Sequence, residues 1–152
     1  MAKAICNTLP VTIRRARDDE LKTCAELYER TGNAAFKWRP EGFFKAKDFL
    51  RFAEEEEVYV AVARGAILGI LAFFRPHNFI HCLYVEPSAQ GFGIGSALIK
   101  AAEKFAGGPL SLKVDEPNTR ALEFYERHAF RPIGETGLDQ GVRWIRLKQP
   151  SA

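Results

Sequence analysis

The sequence predicts a single α/β (α+β) domain built on a mixed sheet of about seven strands, most of them antiparallel. Three observations lead to this prediction. Apolar runs separated by turn signals fill the middle of the chain. Amphipathic helical patterns alternate with strands in the second half. A length of 152 residues, with 47% apolar and 27% charged residues, is typical of one globular domain.

The chain begins with a predicted tail and an edge strand. Residues 1–10 show no regular pattern and are expected to be loose, so the domain is placed at residues 11–150. Val11 to Arg15 alternates apolar and polar residues, as an edge strand does. Apolar side chains at helical spacing predict a first helix from Leu21 to about Arg30, and Gly32 is expected to end it.

An irregular, aromatic segment follows between residues 33 and 53. A proline and a glycine interrupt it, and a second helix is predicted to start near Phe43. The simpler expectation is that its rings cover one end of the core. The alternative is that Phe36 and Trp38 line a pocket for a cationic amine.

Three apolar runs in the middle of the chain predict an antiparallel meander. They span residues 58–63, 67–74 and 79–85, and turns at Gly65 and at residues 75–78 separate them. Strands this apolar indicate a sheet that is covered by helices on both faces.

The second half of the chain predicts two more helices and three more strands. These elements span residues 94–105, 110–114, 118–127, 131–136 and 142–148. The strand at 110–114 follows a crossover helix and is therefore expected to run parallel to the strand at 79–85. Residues 137–141 are predicted to be the turn of the closing hairpin, and Asn118 can cap the last helix.

The loop between the central strand and the third helix predicts a phosphate site. Gly91, Gly93 and Gly95 stand at alternate positions between Val85, which ends the strand, and Ile94, near which the helix begins. Glycines allow close approach of a ligand to the backbone. The first N–H groups of a helix lack internal partners and carry the positive end of its dipole. Together these features favour a phosphate-bearing ligand.

Two common phosphate-binding motifs fit this loop poorly. A P-loop requires Gly-Lys-Ser/Thr, and no lysine follows any of these glycines. A Rossmann turn requires a third glycine where Ser96 stands, and five residues separate Val85 from Gly91. Gly91 and Gly93, with Asp115 as the acidic residue, keep a dinucleotide-dependent oxidoreductase open as an alternative.

Residues 90–95, QGFGIG, resemble the Gln/Arg-x-x-Gly-x-Gly/Ala motif of the GCN5-related N-acetyltransferases, the GNAT family. Residues 83–87, LYVEP, look like the end of the family's central strand. Residues 118–130, NTRALEFYERHAF, look like its second cofactor motif, with Ala129 in place of the usual glycine. The resemblance extends over residues 11–148. It implies a single N-acetyltransferase domain with helices on both faces of the sheet and one splayed parallel strand pair.

The resemblance implies acetyl-coenzyme A as cosubstrate. Its pantetheine arm is expected between the strands at 79–85 and 110–114, paired with main-chain groups of the former as another strand would be. The diphosphate is expected on the glycine loop. The residues expected to contact the cofactor are Leu83, Tyr84, Val85, Gln90, Gly91, Phe92, Gly93, Ile94, Gly95, Ser96, Asn118 and Tyr125.

The resemblance also implies direct attack of an acceptor amine on the thioester in a ternary complex. Tyr125 looks like the family's tyrosine that protonates the leaving sulfur, and a backbone N–H near Leu83 is expected to polarise the carbonyl. The candidate general bases are His81 and, acting through water, Glu86. Cys82 is a poor candidate nucleophile because nothing nearby in the sequence would lower its pKa.

Composition excludes several other classes of protein. A net charge of +3 with scattered basic residues does not indicate nucleic-acid binding. The sequence shows neither a signal peptide nor a long apolar run, so we expect a cytoplasmic protein without a membrane span. Three cysteines without a C-x-x-C pair predict neither a disulfide framework nor a zinc site, and no metal is expected.

The expected partner is a small-molecule or peptide amine. The sequence does not identify that acceptor, and it leaves a homodimer open. A non-catalytic acyl-CoA-binding module is the alternative function, because the same fold can bind a cofactor without turning it over.

Overall fold

The structure is a computed structural model that describes residues 9–151. Its strands are β1 (Thr12–Arg15), β2 (Glu57–Ala63), β3 (Ala66–Phe74), β4 (Phe79–Val85), β5 (Ser111–Asp115), β6 (Arg131–Asp139) and β7 (Val142–Lys148). Its helices are α1 (Leu21–Ala35), α2 (Ala46–Phe52), α3 (Ile94–Phe105) and α4 (Thr119–Arg127). The strands form one seven-stranded sheet in the order β1-β2-β3-β4-β5-β7-β6. Its pairs are antiparallel except for β4 and β5, which confirms the predicted fold class.

Two hydrophobic cores lie on opposite faces of this sheet. On one face α3 and α4 pack against the sheet, with Leu98, Ile99 and Phe130 buried there. On the other face α1 and α2 pack through Leu27 and Phe49. The predicted covering of both faces is therefore confirmed, and it explains why the central strands are apolar on both sides.

The parallel pair opens soon after it forms. β4 and β5 pair at two positions, Phe79 with Ser111 and Ile80 with Leu112. His81 then sits at a bulge, because Ile80 and Cys82 are paired with adjacent residues of β3. Beyond this point β4 pairs with β3 alone within residues 9–151, and its other edge is open to the rest of that described chain. The bulge and the opening together explain how two neighbouring strands can separate without breaking the sheet.

The prediction that Gly32 ends the first helix is wrong, because α1 continues to Ala35. A Cβ atom at position 32 would lie 2.5 Å from the ring of Phe44, so this glycine serves close packing.

The second helix begins at Ala46 instead of near Phe43. The side chain of Asn33 holds the backbone of Phe44 from both sides, donating to its carbonyl at 2.9 Å and accepting from its N–H at 3.1 Å. This pairing keeps Phe44 out of the helix.

The predicted turn of the last hairpin is also too long. β6 extends through Gly137 to Asp139, and Asp139 pairs with Val142. The turn is the two residues Gln140 and Gly141, both with positive φ, as a type I′ turn requires. Gly137 lies inside the strand. A Cβ atom there would be 2.5 Å from the Trp144 ring, so this glycine allows close packing and does not mark a turn.

The predicted tail falls mostly outside the described residues. Within them, the Leu9 N–H donates a hydrogen bond to the Phe92 carbonyl at 2.9 Å, and the Leu9 side chain packs against the core beside α3.

None of the helices in residues 9–151 has the length and apolar character that crossing a membrane requires. In the same residues, no group of three or more His, Cys, Asp or Glu side chains is placed to hold a metal ion.

Candidate active site

A cleft of about 1080 Å³ opens where β4 and β5 separate. The strands themselves, the start of α3, one side of α4 and the segment after α1 line it. The predicted site residues on its walls are Phe36, Trp38, His81, Leu83, Tyr84, Val85, Gln90, Gly91, Gly93, Ile94, Gly95, Ser96, Asn118 and Tyr125. The fold thus brings together residues from five separate stretches of the chain.

Of the predicted residues in the described chain, Glu86 and Phe92 do not line the cleft. The Glu86 carboxylate forms an ion pair with the guanidinium of Arg30, on α1. The side chain of Phe92 is 41% exposed, and its carbonyl accepts the hydrogen bond from Leu9.

The glycine loop leaves a row of N–H groups unpaired. Gly91 and Gly93 have φ values of +88° and +84°, which residues with side chains rarely adopt. Gly93 caps α3, and the Ala97 N–H makes the first hydrogen bond of that helix, to the Gly93 carbonyl at 3.0 Å. Within residues 9–151, the amides from Gly91 to Ser96 have no hydrogen-bond acceptor. We call these amides the amide cradle, and an anion is the ligand that such a group favours.

Polar side chains surround the amide cradle, and some of them already form hydrogen bonds within the protein. The Gln90 side-chain amide donates to the Val85 carbonyl at 3.0 Å. Asn118 caps α4 as predicted, since its Oδ1 accepts from the Ala121 N–H at 3.1 Å. Arg120 and Arg127 also line the cleft from α4. These two arginines were not predicted for the site, although cations beside a phosphate loop are a reasonable signal to search for.

Ser96 has a partner that the sequence did not reveal. Its hydroxyl lies 2.9 Å from Nε2 of His128, which follows α4. The His128 ring also packs on Phe124, with ring centroids 4.7 Å apart. Burial holds the pKa of His128 below its usual 6.5. The imidazole therefore favours its neutral form beside the amide cradle.

Tyr125 lies on the wall of the cleft with little of its surface exposed. No group in residues 9–151 forms a hydrogen bond with its hydroxyl, in contrast to Tyr59, whose hydroxyl donates to Glu57 at 2.7 Å. Burial raises the pKa of Tyr125 well above its usual value. The hydroxyl is therefore protonated at neutral pH and available to donate.

His81 borders the cleft but also has a partner outside it. Its Nδ1 lies 2.7 Å from Oε2 of Glu56, and its ring packs on Phe52 with centroids 4.1 Å apart. Glu56 is largely buried, and its other carboxylate oxygen has no partner in the described chain. Next to His81, burial raises the pKa of the Cys82 thiol far above its usual range, so this thiol is a weak nucleophile.

The segment after α1 is fixed by a buried ion pair. Arg39 is 5% exposed, and its guanidinium makes two hydrogen bonds of 3.0 Å to the Asp115 carboxylate at the end of β5. It also contacts Asp139, donating to the carbonyl at 3.0 Å. The Trp38 indole N–H donates to Asp115 at 2.9 Å. Sequence reasoning missed this cluster because Arg39 and Asp115 are 76 positions apart.

Two strands that separate beside a row of unpaired main-chain amides are the arrangement by which α/β proteins favour a phosphate-bearing ligand at the carboxyl ends of their strands. Residues 14–130 match the model of the Acetyltransferase (GNAT) family. The chain therefore belongs to this family, and the protein is an acetyltransferase. The oxidoreductase alternative does not agree with that assignment.

Several proteins that resemble this chain in sequence or in fold are named as N-acetyltransferases. The chain is 27% identical to peptidyl-lysine N-acetyltransferase YjaB of Salmonella typhimurium, over 85% of this chain and 89% of that protein. It is 31% identical to N-alpha-acetyltransferase RimI of Mycobacterium tuberculosis, over 84% and 83% of the two chains. The fold matches the PaiA N-acetyltransferase of Thermoplasma acidophilum in complex with coenzyme A, with a TM-score of 0.71 and 16% identity over 91% and 98% of the chains.

Proposed function

We propose that the protein moves the acetyl group of acetyl-CoA to the primary amine of an acceptor, which attacks the thioester directly in a ternary complex. The observation that carries this proposal is the amide cradle beside the open edge of β4. The coenzyme A complex of a protein with this fold supports the choice of cosubstrate. The names of the two relatives, which refer to lysine and N-alpha acetylation, support an amine as acceptor.

The residues of the amide cradle fit a diphosphate. Its unpaired N–H groups lie at the positive end of the α3 dipole, where an anion is stabilised. Arg120 and Arg127 supply positive charge on the same side of the cleft, and the Ser96 hydroxyl and the side-chain amides of Gln90 and Asn118 add donors. These residues would hold the phosphate end of coenzyme A.

The open edge of β4 fits an extended, amide-bearing arm. From His81 to Val85, the main chain has no strand partner on the side away from β3 within the described chain. A pantetheine arm carries amide groups that can pair there as a strand would. A main-chain N–H near Leu83 would then polarise the thioester carbonyl.

Acetyl transfer to an amine also needs two proton movements. We assign the proton donor for the leaving sulfur to Tyr125, because its hydroxyl is unpaired in the described chain and its raised pKa keeps it protonated. We assign the base to His81, since Glu56 on Nδ1 leaves Nε2 to accept a proton from the amine. Glu86 is the weaker candidate because its carboxylate is paired with Arg30.

The test is release of coenzyme A thiol from acetyl-CoA in the presence of an amine. Replacing Tyr125 by Phe should lower kcat by about a hundredfold, because general acid catalysis is lost. The dissociation constant for acetyl-CoA should change little, since the ring is kept. Tyr59→Phe is the matched control, because the Tyr59 hydroxyl is bonded to Glu57 and does not line the cleft. Equal kcat values for wild type and Tyr125→Phe would contradict the assignment.

A further inference from the structure

We infer that the acceptor is a monoamine whose primary amine is carried on an apolar body of about the size of an aromatic ring. This inference rests on the proposed function and names the substrate class of the same cleft. It is drawn from the acceptor half of the cleft, which is formed by Tyr28, Phe36, Trp38, Phe43, Phe44 and Tyr84. We call these six rings the aromatic chamber.

The rings of the aromatic chamber pack on one another and line one side of the cleft. Phe36 stacks on Trp38 with centroids 5.2 Å apart, and its edge meets Tyr84 at 5.5 Å and an interplanar angle of 89°. Tyr84 in turn stacks on Tyr28 at 5.2 Å. Phe44 is buried beneath them, whereas the other rings are half-buried and face the cleft. A concave surface of half-covered rings favours an apolar ligand.

The charged side chains next to the aromatic chamber already have contacts in the described chain, ion pairs for Arg39 and an aromatic ring for Lys113. Arg39 and Asp115 bond to each other, and Arg39 also contacts Asp139. The Lys113 ammonium lies 4.3 Å from the centre of the Trp144 ring. The other carboxylate on the cleft wall, Glu123, belongs to α4 on the opposite face of the sheet.

This pairing argues against a second charge on the acceptor. A polyamine would bring an extra ammonium group, but Arg39 already holds the Asp115 and Asp139 carboxylates. The Glu56 carboxylate, which has an unpaired oxygen, lies behind His81 and does not line the cleft. An amino acid would bring a carboxylate, and Arg39 already holds two aspartates. Burying an unpaired charge is unfavourable, so both kinds of acceptor should be rejected.

Polar atoms that can meet one amine are nevertheless present. No hydrogen bond within residues 9–151 uses the hydroxyls of Tyr28 and Tyr84. Burial raises the pKa of both phenols, so they are neutral. Thr31 also lines the cleft and is 5% exposed. Its hydroxyl oxygen, Oγ1, has no hydrogen-bond partner in the described chain. A single amino group can be oriented by such neutral groups while the rings hold its body.

The experiment compares kcat/KM for amines that differ in one property. We expect 2-phenylethylamine to exceed spermidine by at least about tenfold, because spermidine carries additional charge. We expect phenylalanine methyl ester to exceed phenylalanine by a similar factor, because the ester lacks the carboxylate. A peptide with an internal lysine between polar residues should be a poor acceptor.

Variants locate the effect in the aromatic chamber. Phe36→Leu keeps an apolar side chain but removes the ring, and should raise KM for 2-phenylethylamine by about fivefold. KM for acetyl-CoA should stay unchanged. Phe74→Leu is the matched control: it removes a half-buried ring at the end of β3 that does not line the cleft, and both KM values should stay as in the wild type.

Two results would overturn the inference while leaving the proposed function intact. One is a higher kcat/KM for spermidine, phenylalanine or the polar lysine peptide than for 2-phenylethylamine. The other is a Phe36→Leu variant with unchanged KM for 2-phenylethylamine. If acetyl-CoA binds but no amine releases thiol, the proposed function itself is wrong and the inference falls with it.

Discussion

The two walls of the cleft are built in different ways. The amide cradle is formed by consecutive residues, and its unpaired groups belong to the main chain. The aromatic chamber is formed by side chains from α1, the segment after it and β4, and the Arg39–Asp115 pair holds it to the end of β5. One wall therefore depends on backbone conformation, and the other depends on which side chains meet.

This difference suits the two substrates that we propose. A diphosphate is the same in every acyl-CoA, so main-chain amides can hold it without demanding particular side chains. An acceptor must be distinguished from other amines, and only side chains supply shape and charge for that purpose. If the two walls are independent, a change in one should leave the function of the other intact.

The largest expected effect comes from the ion pair that fixes the aromatic chamber. Arg39→Met leaves the largely buried Asp115 carboxylate without its cation, and should lower the free energy of unfolding by about 3 kcal/mol. KM for the acceptor should rise, while the dissociation constant for acetyl-CoA should stay within about a factor of two if the walls are independent. Urea unfolding and a binding titration measure the two quantities.

Arg146→Met provides the comparison for that variant. Arg146 makes an equally short pair of bonds with Glu135, at 2.8 and 3.0 Å, but the Glu135 side chain is 51% exposed. A pair exposed in this way should contribute less than about 1 kcal/mol. Similar losses of stability in the two variants would show that burial of Arg39 has no special importance.

A second, smaller effect is expected at the amide cradle. Gly91→Ala forces a side chain into a backbone conformation with φ of +88° and should shift the unpaired amides, weakening acetyl-CoA binding by about tenfold. Gly65→Ala, in the turn between β2 and β3 with φ of +78°, imposes comparable strain of about 1 kcal/mol far from the cleft.

Both glycine variants should therefore lose similar stability, but only Gly91→Ala should lose affinity for acetyl-CoA. Thermal unfolding measures the first quantity and isothermal titration the second. Unchanged acetyl-CoA affinity in Gly91→Ala would mean that the amide cradle does not hold the cofactor.

The smallest effect tests the hydrogen bond between the Ser96 hydroxyl and His128, beside the amide cradle. Because the pKa of folded His128 lies below 6.5, its contribution to stability is fully present above pH 6.5 and is lost as the pH falls through the folded pKa. His128→Gln keeps a polar side chain but does not titrate there. The free energy of unfolding of this variant should consequently fall less between pH 7 and pH 5 than that of the wild type.

In protonated His128, Nε2 can only donate to the Ser96 hydroxyl oxygen, and the ring adds positive charge beside the amide cradle. Wild-type affinity for acetyl-CoA should therefore rise by about threefold as the pH falls from 7 to 5, and the rise should be smaller in His128→Gln. Identical pH profiles for the two proteins would show that Ser96 and His128 do not act together.

Where the sequence prediction succeeded, the cause was local. Apolar runs, Asn118 as a helix cap and the parallel pair were predicted because each follows from a few neighbouring residues or from the crossover rule. The prediction of where elements end failed at glycines that pack closely against an aromatic ring from another part of the chain. Gly32 lies against Phe44 and Gly137 against Trp144, so neither interrupts its element as a glycine commonly does.

The sequence by itself determined the fold class and the amide cradle, because backbone conformation at glycines and the start of a helix are set by adjacent residues. Only the tertiary structure decided the aromatic chamber, the pairing of Arg39 with Asp115 and the partners of His81 and Ser96. The physical reason is that a side chain's charge partner, burial and pKa depend on groups that are remote in the chain and come together only when the sheet and its helices pack.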